Sequence, residues 1–499
     1  MQAAVSATTE LPRPARITGA VVATAALLVL ADYLILTARP GIGWFVFAIA
    51  TAMAIAAMAL LRGRRRVVLP AMGLVAVAAL PFVEAPSPAG LVVASLALGV
   101  AALLAARLLP KLLGDMPAVL LRYGVIAPFR LASDALAARA NGAGPGLGRL
   151  LFRQLIGWLI PLVFLAVFLG LFVVANPVLD LAVAQLNFGQ FVFPEPARVI
   201  AWMILALAVW ALLRPRLLRW RGMFRAPERV GAAESLLFGR AAILRSLVIF
   251  NAVFAIQTAM DITYLWGGVA LPAGMTHADY AHRGAFPLIV TAVLAAAFVL
   301  AAMRRGGAGE TSKPIRGLVY AWIGQNILLC ISAILRLDLY VEAYSLTELR
   351  VVAGIWMGLV AIGLVLILLR IALRQSNGWL IATNLISLVV TLWVCAWIDF
   401  SAVIARFNVE HSREVSGQGV ALDLAYMREL GPTAIPALDG YIARVADKED
   451  ALILRRDLTN RAWKDRAQDW RGWSWREQRL LDYLDSAPLS VNNFPAQPQ

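Results

Sequence analysis

Four side chains between residues 336 and 350 have the types and spacing to grip an anion. Arg336 and Arg350 can each hold a carboxylate or phosphate through two parallel N–H bonds, and Tyr340 and Tyr344 stand between them at helical spacing. Asn326, Ala333, Arg336 and Tyr340 fall along one stripe of a helix, and Tyr344 continues it if the helix outruns the bilayer. On an earlier helix Gln257 and Asp261 are four residues apart and share a face, with Asn251 about a third of a turn away. Asp338, Glu342 and Glu348 lie beside the two arginines, and Asp261 falls at a similar depth, so ion pairs are expected there. We read Asp261, Gln257, Asn251, Asn326, Arg336, Tyr340, Tyr344 and Arg350 as a candidate polar site for an anionic lipid headgroup or small solute. The competing reading is a structural clasp, because polar groups commonly tie membrane helices together and Tyr and Arg commonly anchor at interfaces.

Other chemistry has less support. His277, Asp279 and His282 form a His-x-Asp-x-x-His spacing, but structural zinc wants four ligands and spacing fixes no fourth, so a capped loop helix is expected and no metal. The run Asn141-Gly-Ala-Gly-Pro-Gly-Leu-Gly148 lacks the Gly-Lys-Ser/Thr ending of a phosphate-cradling loop and reads as a hinge. Asp32, the one acid of the first apolar segment, suits a cation site or, more simply, a partner on a neighbouring helix. The chain has no Gly-x-Ser-x-Gly and no His-Glu-x-x-His. No catalytic residue and no cofactor are assigned, and an enzyme is the class with least support.

The elements that must carry these residues are membrane helices. Of 499 residues 61% are hydrophobic and only 15% charged, against about 45–50% and about 25% in soluble domains. Eight strongly apolar stretches lack Asp, Glu, Lys and Arg for 17 residues or more: 40–61, 67–83, 85–106, 154–179, 284–303, 317–335, 351–369 and 375–398. Three weaker ones, 17–38, 199–213 and 241–262, bring the expected number to eleven. Lys and Arg alternate from loop to loop: one set of loops holds 26 of them, the other only Arg39, Arg198, Arg283, Arg336 and Arg350. Positive segments resist export, so the N-terminus is expected inside and the tail outside. The fold class is an all-α polytopic membrane bundle with a small helical C-terminal domain.

The expected organisation is a short cytoplasmic segment 1–16, four helices in 17–109, a cytoplasmic interfacial loop 110–153 and seven helices in 154–400. A helical extracytoplasmic tail, 401–486, and a disordered end, 487–499, complete it. The net charge of +15 belongs to residues 1–400, since the tail is nearly balanced. In the tail Trp463, Trp470, Trp473 and Trp475 alternate with Arg and Lys, with one break expected at Gly431-Pro432 with Pro436 and another at Gly472. Such interleaving can stack on nucleic acid, but an outside location removes that partner, leaving surface packing or an envelope protein.

Three blocks carry a family likeness: Tyr264-Leu-Trp-Gly-Gly with Gly274-Met-Thr-His-Ala-Asp-Tyr-Ala-His-Arg-Gly284, the stretch Arg336 to Arg350, and Asp423 to Leu438. They resemble a bacterial membrane family, the domain of unknown function 4173, akin to 4153, over roughly residues 150–480. Where that pattern has Tyr-Gly-Leu-Thr, this chain has Tyr344-Ser345-Leu346-Thr347. The resemblance implies a multi-pass protein of the bacterial inner membrane with an uncharacterised activity. The functions left are transport-like or lipid-handling, or else an envelope scaffold or signalling protein working through the tail and inner loops.

Overall fold

The computed structural model describes residues 13–134, 196–217, 240–263, 312–466 and 468–486. Among them every regular element is helical. Eight helices are long and apolar enough to cross a membrane: Ile17–Leu36, Gly43–Leu60, Arg65–Glu84, Pro88–Ala106, Ala241–Asp261, Lys313–Tyr344, Glu348–Ala372 and Asn377–Cys395. A shorter apolar helix covers Ala197–Leu213. The protein is therefore a multi-pass membrane protein. Nine of the eleven expected segments are helices here, whereas 154–179 and 284–303 lie outside the described residues, as do the glycine run at 141–148 and the His277–His282 spacing.

Local chemistry sets several boundaries. We number α1 as Arg13–Ala31, whose last turn, Asp32–Leu36, widens into a π-helix. The second and third helices are α2, Gly43–Leu60, and α3, Val68–Ala79; Pro81 then opens the short α4, Pro81–Glu84. Helix α5, Pro88–Ala106, starts where the Ser87 hydroxyl accepts from the Gly90 amide at 3.1 Å and Pro88 needs no donor. After it come α6, Met116–Ile126, α7, Pro196–Leu213, and α8, Arg240–Asp261. The 32 residues of α9, Lys313–Tyr344, reach about 48 Å at 1.5 Å each, well past the ~30 Å of hydrocarbon. Helices α10, Glu348–Ala372, and α11, Asn377–Cys395, complete the apolar set.

The chain divides into two units. One takes the described residues of Met1–Lys111, Met116–Arg219 and Ala467–Arg476, the other those of Leu112–Asp115, Trp220–Arg466 and Glu477–Gln499. In the first unit Ala20, Ile55, Ala59, Ala102 and Ala105 pack around Trp210 and Leu213. Small residues let these backbones approach closely, which is how helices associate where lipid competes for apolar contact. In the second unit Ile315, Val319, Trp322 and Ile323 of α9 meet Ile243 and Leu247 of α8, Ile367 and Leu380. Its tail helices, among them Phe400–Glu410, Leu424–Leu430, Ile435–Ile442 and Glu449–Lys464, enclose a core of Ile404, Met427, Ile435, Leu438, Leu454 and Leu458. The expected break at Gly431-Pro432 with Pro436 is present: the helix ends at Gly431, with φ at 82°, and Pro436 sits in the first turn of the next helix, Ile435–Ile442, where a missing N–H costs nothing.

Candidate functional site

The eight residues expected to form one site separate into three groups along α8, α9 and the first turn of α10. Asn326 and Tyr344 are 18 residues apart on one helix, about 27 Å, so no small ligand touches both. The lowest group is packing. Asn251 donates to the carbonyls of Leu247, 2.7 Å, and Leu318, 3.1 Å, while Gln325 donates to the Asn251 carbonyl at 3.1 Å. Asn326 is buried and donates to the Trp322 carbonyl of its own helix at 2.7 Å.

The middle group is a buried ion pair between Arg336 of α9 and Asp261 at the end of α8. Gln257 supports it by donating to Asp261 Oδ1 at 3.0 Å, across the four-residue spacing seen in the sequence. Both charged groups are buried, and the pair joins α8 to α9. Arg336 thus belongs to a clasp.

The third group, at the C-terminal end of α9, is different in kind. Helix α9 stops at Ser345, which has φ 64° and ψ 172°, a region essentially reserved for glycine. The glycine of the family pattern would sit at this position, so the turn survives in this chain with a serine carrying it. Three neighbours hold the strained backbone. Arg350 donates through Nη1 to the carbonyls of Tyr344, at 2.7 Å, and Ser345. Asn408 brackets Leu346, accepting from its amide at 2.8 Å and donating to its carbonyl at 3.0 Å. The Tyr426 hydroxyl accepts from the Glu348 amide at 3.0 Å, and burial raises that phenol's pKa.

The guanidinium of Arg350 lies 4.5 Å from the centre of the Tyr340 ring and 5.9 Å from that of Tyr344. The two rings are themselves tilted together at 4.8 Å. A cation at a helix C-terminus answers the partial negative charge of the last carbonyls, and the ring faces add to it. Its partners are carbonyls and rings, not the carboxylates of Asp338, Glu342 and Glu348 expected from the sequence. Arg350 is half-buried, its Nη1 is committed, and among the described residues Nε and Nη2 have no hydrogen-bond partner.

Of two further contacts of charged groups, the first is the partner on a neighbouring helix expected for Asp32, and the second had no signal in the sequence. Asp32 is held by Arg198, with Nε 2.7 Å from Oδ1 and Nη2 on Oδ2, and by Trp202 Nε1 at 2.8 Å. The similar depth of Asp32 and Arg198 near one end of their segments was the available signal. Arg471 of the tail donates to the Tyr33 carbonyl at 2.6 Å and to Thr37 Oγ1 at 3.1 Å, and lies 4.3 Å from the centre of the Tyr33 ring. Beside it the Ile42 amide donates to the Trp473 carbonyl at 2.7 Å, and a Cβ on Gly41 would meet the backbone of Gly472 at 2.2 Å. Nothing in residue spacing links positions this far apart. No cluster of His, Cys, Asp and Glu among the described residues could hold a metal.

A family model described as Domain of unknown function (DUF4153) matches residues 20–441, most of the chain. The match is to the second of the two related families named from the sequence, and it begins in α1, well before residue 150. No curated protein and no solved structure matches the chain.

Proposed function

The chain belongs to the DUF4153 family, whose activity is unknown, and from that premise we propose that it binds the anionic headgroup of a lipid, or a small anionic solute, at Arg350. The observation that carries this reading is the strained Ser345 turn with Arg350 fastened across it by one nitrogen, while among the described residues its Nε and Nη2 have no hydrogen-bond partner. Strain that the surroundings must overdetermine collects where a geometry is used. A guanidinium with two N–H-bearing nitrogens to spare matches a phosphate or carboxylate. Tyr344, 52% exposed, supplies the amphipathic rim expected at a membrane interface.

The proposal places the protein in a bacterial cytoplasmic membrane with eleven spans, the N-terminus inside and the tail outside, which puts Arg350 at the outer leaflet. Two groups of contacts in the first unit support that sidedness. Arg62, Arg64 and Arg130 bond to the carbonyls of Leu213, Ala105 and Arg214 respectively. Asp32, Arg198 and Arg471 gather with Tyr33 and Thr37 at other ends of these segments. Each group thus draws together loops that charge counting assigns to one side.

Native mass spectrometry of the full chain, with phosphatidylglycerol as probe and phosphatidylcholine as reference, tests the site. Wild type is expected to retain phosphatidylglycerol, Arg350→Ala to lose it and Arg350→Lys to keep part. Equal retention by wild type and Arg350→Ala would overturn the proposal. A scaffold function has its own support in the tail, a folded helical region with Trp463, Trp470 and Trp475 between 40% and 54% exposed. Truncation before that region would then abolish capture of an envelope partner while leaving lipid retention unchanged.

A further inference from the structure

At the other end of the first unit, arginines do two different jobs. Gly63, with φ at 69°, turns the chain after α2 and presents a run of four arginines around it. Two of them are spent on helix ends: Arg62 Nη2 bonds the Leu213 carbonyl at 2.8 Å, closing α7, and Arg64 Nη1 bonds the Ala105 carbonyl at 2.7 Å, closing α5. Arg130 does the same for α7 through the Arg214 carbonyl at 2.8 Å. These bonds draw the ends of α2, α5, α7 and the segment after α6 together. Arg65, Arg66, Arg107 and Arg216 stand at the same ends, are exposed, and make no side-chain hydrogen bond or ion pair among the described residues.

Among the described residues none of these four cations has a carboxylate partner. Asp134 is the one carboxylate in segments 62–67, 105–111, 116–134 and 213–217. It is fully engaged, by Arg130, by Arg214 at 3.2 Å and by Trp210 Nε1 at 3.2 Å. Burial lowers the pKa of Arg130, and Arg216 and Arg214 push it the same way against Asp134, so of the free cations Arg216 lies close enough to be felt.

The neighbouring helix α6 is apolar on two sides. Val119 and Tyr123, four apart, are buried against Leu103 and beside Leu217. Leu121 and Val125, two positions on from each, face the opposite way, and Phe129 continues their spacing at 66% exposed. A soluble helix has no use for that second face. An interfacial helix does, since it sinks such residues into the acyl boundary while basic neighbours stay among headgroups.

We propose that this end of the first unit is a binding surface for acidic phospholipid of the inner leaflet, with Arg65, Arg66, Arg107 and Arg216 on the phosphates and Leu121, Val125 and Phe129 in the acyl boundary. It is distinct from the Arg350 site, and it takes only its leaflet from the orientation proposed above. Each cation near an acidic surface is worth about a fivefold change in binding, so removing three changes preference about a hundredfold.

The test is retention of phosphatidylglycerol over phosphatidylcholine in mixed micelles, read by native mass spectrometry on the full chain. A triple Arg65→Gln, Arg66→Gln, Arg107→Gln variant is expected to lose preference about a hundredfold relative to an Arg350→Ala background, with unchanged thermal unfolding. Arg64→Gln, which removes a helix-end bond, is expected to lower the unfolding temperature more than the triple variant does. A triple variant that keeps the Arg350→Ala level of acidic lipid would overturn the surface, as would a preference that added salt leaves unchanged. Micelles are blind to sidedness, so an error in orientation would leave this result standing and move only the leaflet. Failure at Arg350 would leave it standing too.

Discussion

Each unit pairs an aspartate with an arginine on another helix and sets a second arginine on a tyrosine ring, yet the two versions differ in how they close. In the second unit the Asp261–Arg336 side chains are 1% and 5% exposed, and in the first the Asp32–Arg198 side chains are 21% and 37% exposed. The tyrosine-bound arginines differ in the opposite sense. Arg471, over Tyr33, carries its own counterion in Asp469, 3.0 Å from its Nε. Arg350, over Tyr340 and Tyr344, has hydrogen bonds to carbonyls only among the described residues. The same chemical parts therefore make a sealed clasp beside an open cation in one unit, and a more open clasp beside a neutralised cation in the other. Which arginine can take a ligand is decided by what already occupies it.

The sharpest way to break the comparison is to remove one partner from each clasp. Losing one partner of a buried pair strands the other charge, at a cost of about 3–5 kcal/mol, so Arg336→Ala is expected to be the most damaging single change. Replacing both Asp261 and Arg336 with Leu should recover most of that loss, because the penalty lies in the stranded charge. Asp32→Asn keeps the shape of its site and weakens hydrogen bonds to a charged group, a loss of about 1.5–3 kcal/mol. Thermal unfolding of the four proteins in one detergent measures all of this. Equal losses for Arg336→Ala and Asp32→Asn would show that burial does not set the difference.

Much of this was legible in the sequence, and the boundary has physical causes. Apolar runs announce their helices by length alone, and Gln257 and Asp261 share a face because four residues nearly complete a turn. Asp261 and Arg336 could be matched because both lie at the same end of their segments. Arg198 was visible only as a loop charge, although it closes on Asp32. Arg471 was one of several basic residues among tryptophans, and the contact that singles it out joins the two ends of the chain. The eight polar candidates looked like one site because helical periodicity reports a face and says little about height along it. The turn at Ser345 had a signal only in the resembling pattern's Tyr-Gly-Leu-Thr, because a serine by itself gives no hint of the left-handed backbone that a glycine would announce.

That turn allows a smaller and opposite effect. At φ 64° a side chain costs about 1–3 kcal/mol, while glycine adds roughly 0.5–1 kcal/mol of backbone entropy to the unfolded chain. Ser345→Gly is thus expected to stabilise the protein by about 1 kcal/mol, seen as a higher unfolding temperature, and to leave Arg350 in place. It sharpens the contrast between the arginines, because a relaxed turn that still retains phosphatidylglycerol would assign binding to the open guanidinium and not to the strain. A loss of stability would mean that the serine hydroxyl does more in the turn than its backbone shows.

The smallest effect concerns the neutralised arginine. Hydrogen bonding from Arg471 holds the Asp469 carboxyl below its ordinary value of 3.8. A lowered folded-state pKa means the interaction is complete above that ordinary value and is lost as pH falls through the lower folded one. The tail segment should therefore loosen from Tyr33 only below pH 3.8, and the Ile42 amide, bonded to the Trp473 carbonyl at 2.7 Å, is its local reporter. Hydrogen exchange at Ile42, corrected for intrinsic rate, should lose protection on acidification in wild type. In Asp469→Asn protection should already be reduced at neutral pH and change little with acid. Asp469 is exposed and its pair with Arg471 is screened by solvent, so the change is expected to be local, without a shift in global unfolding. If protection at Ile42 instead stays constant through the acid range in wild type, Asp469 is not what quiets Arg471. The difference between the two tyrosine-bound arginines would then rest on their ring and carbonyl contacts alone.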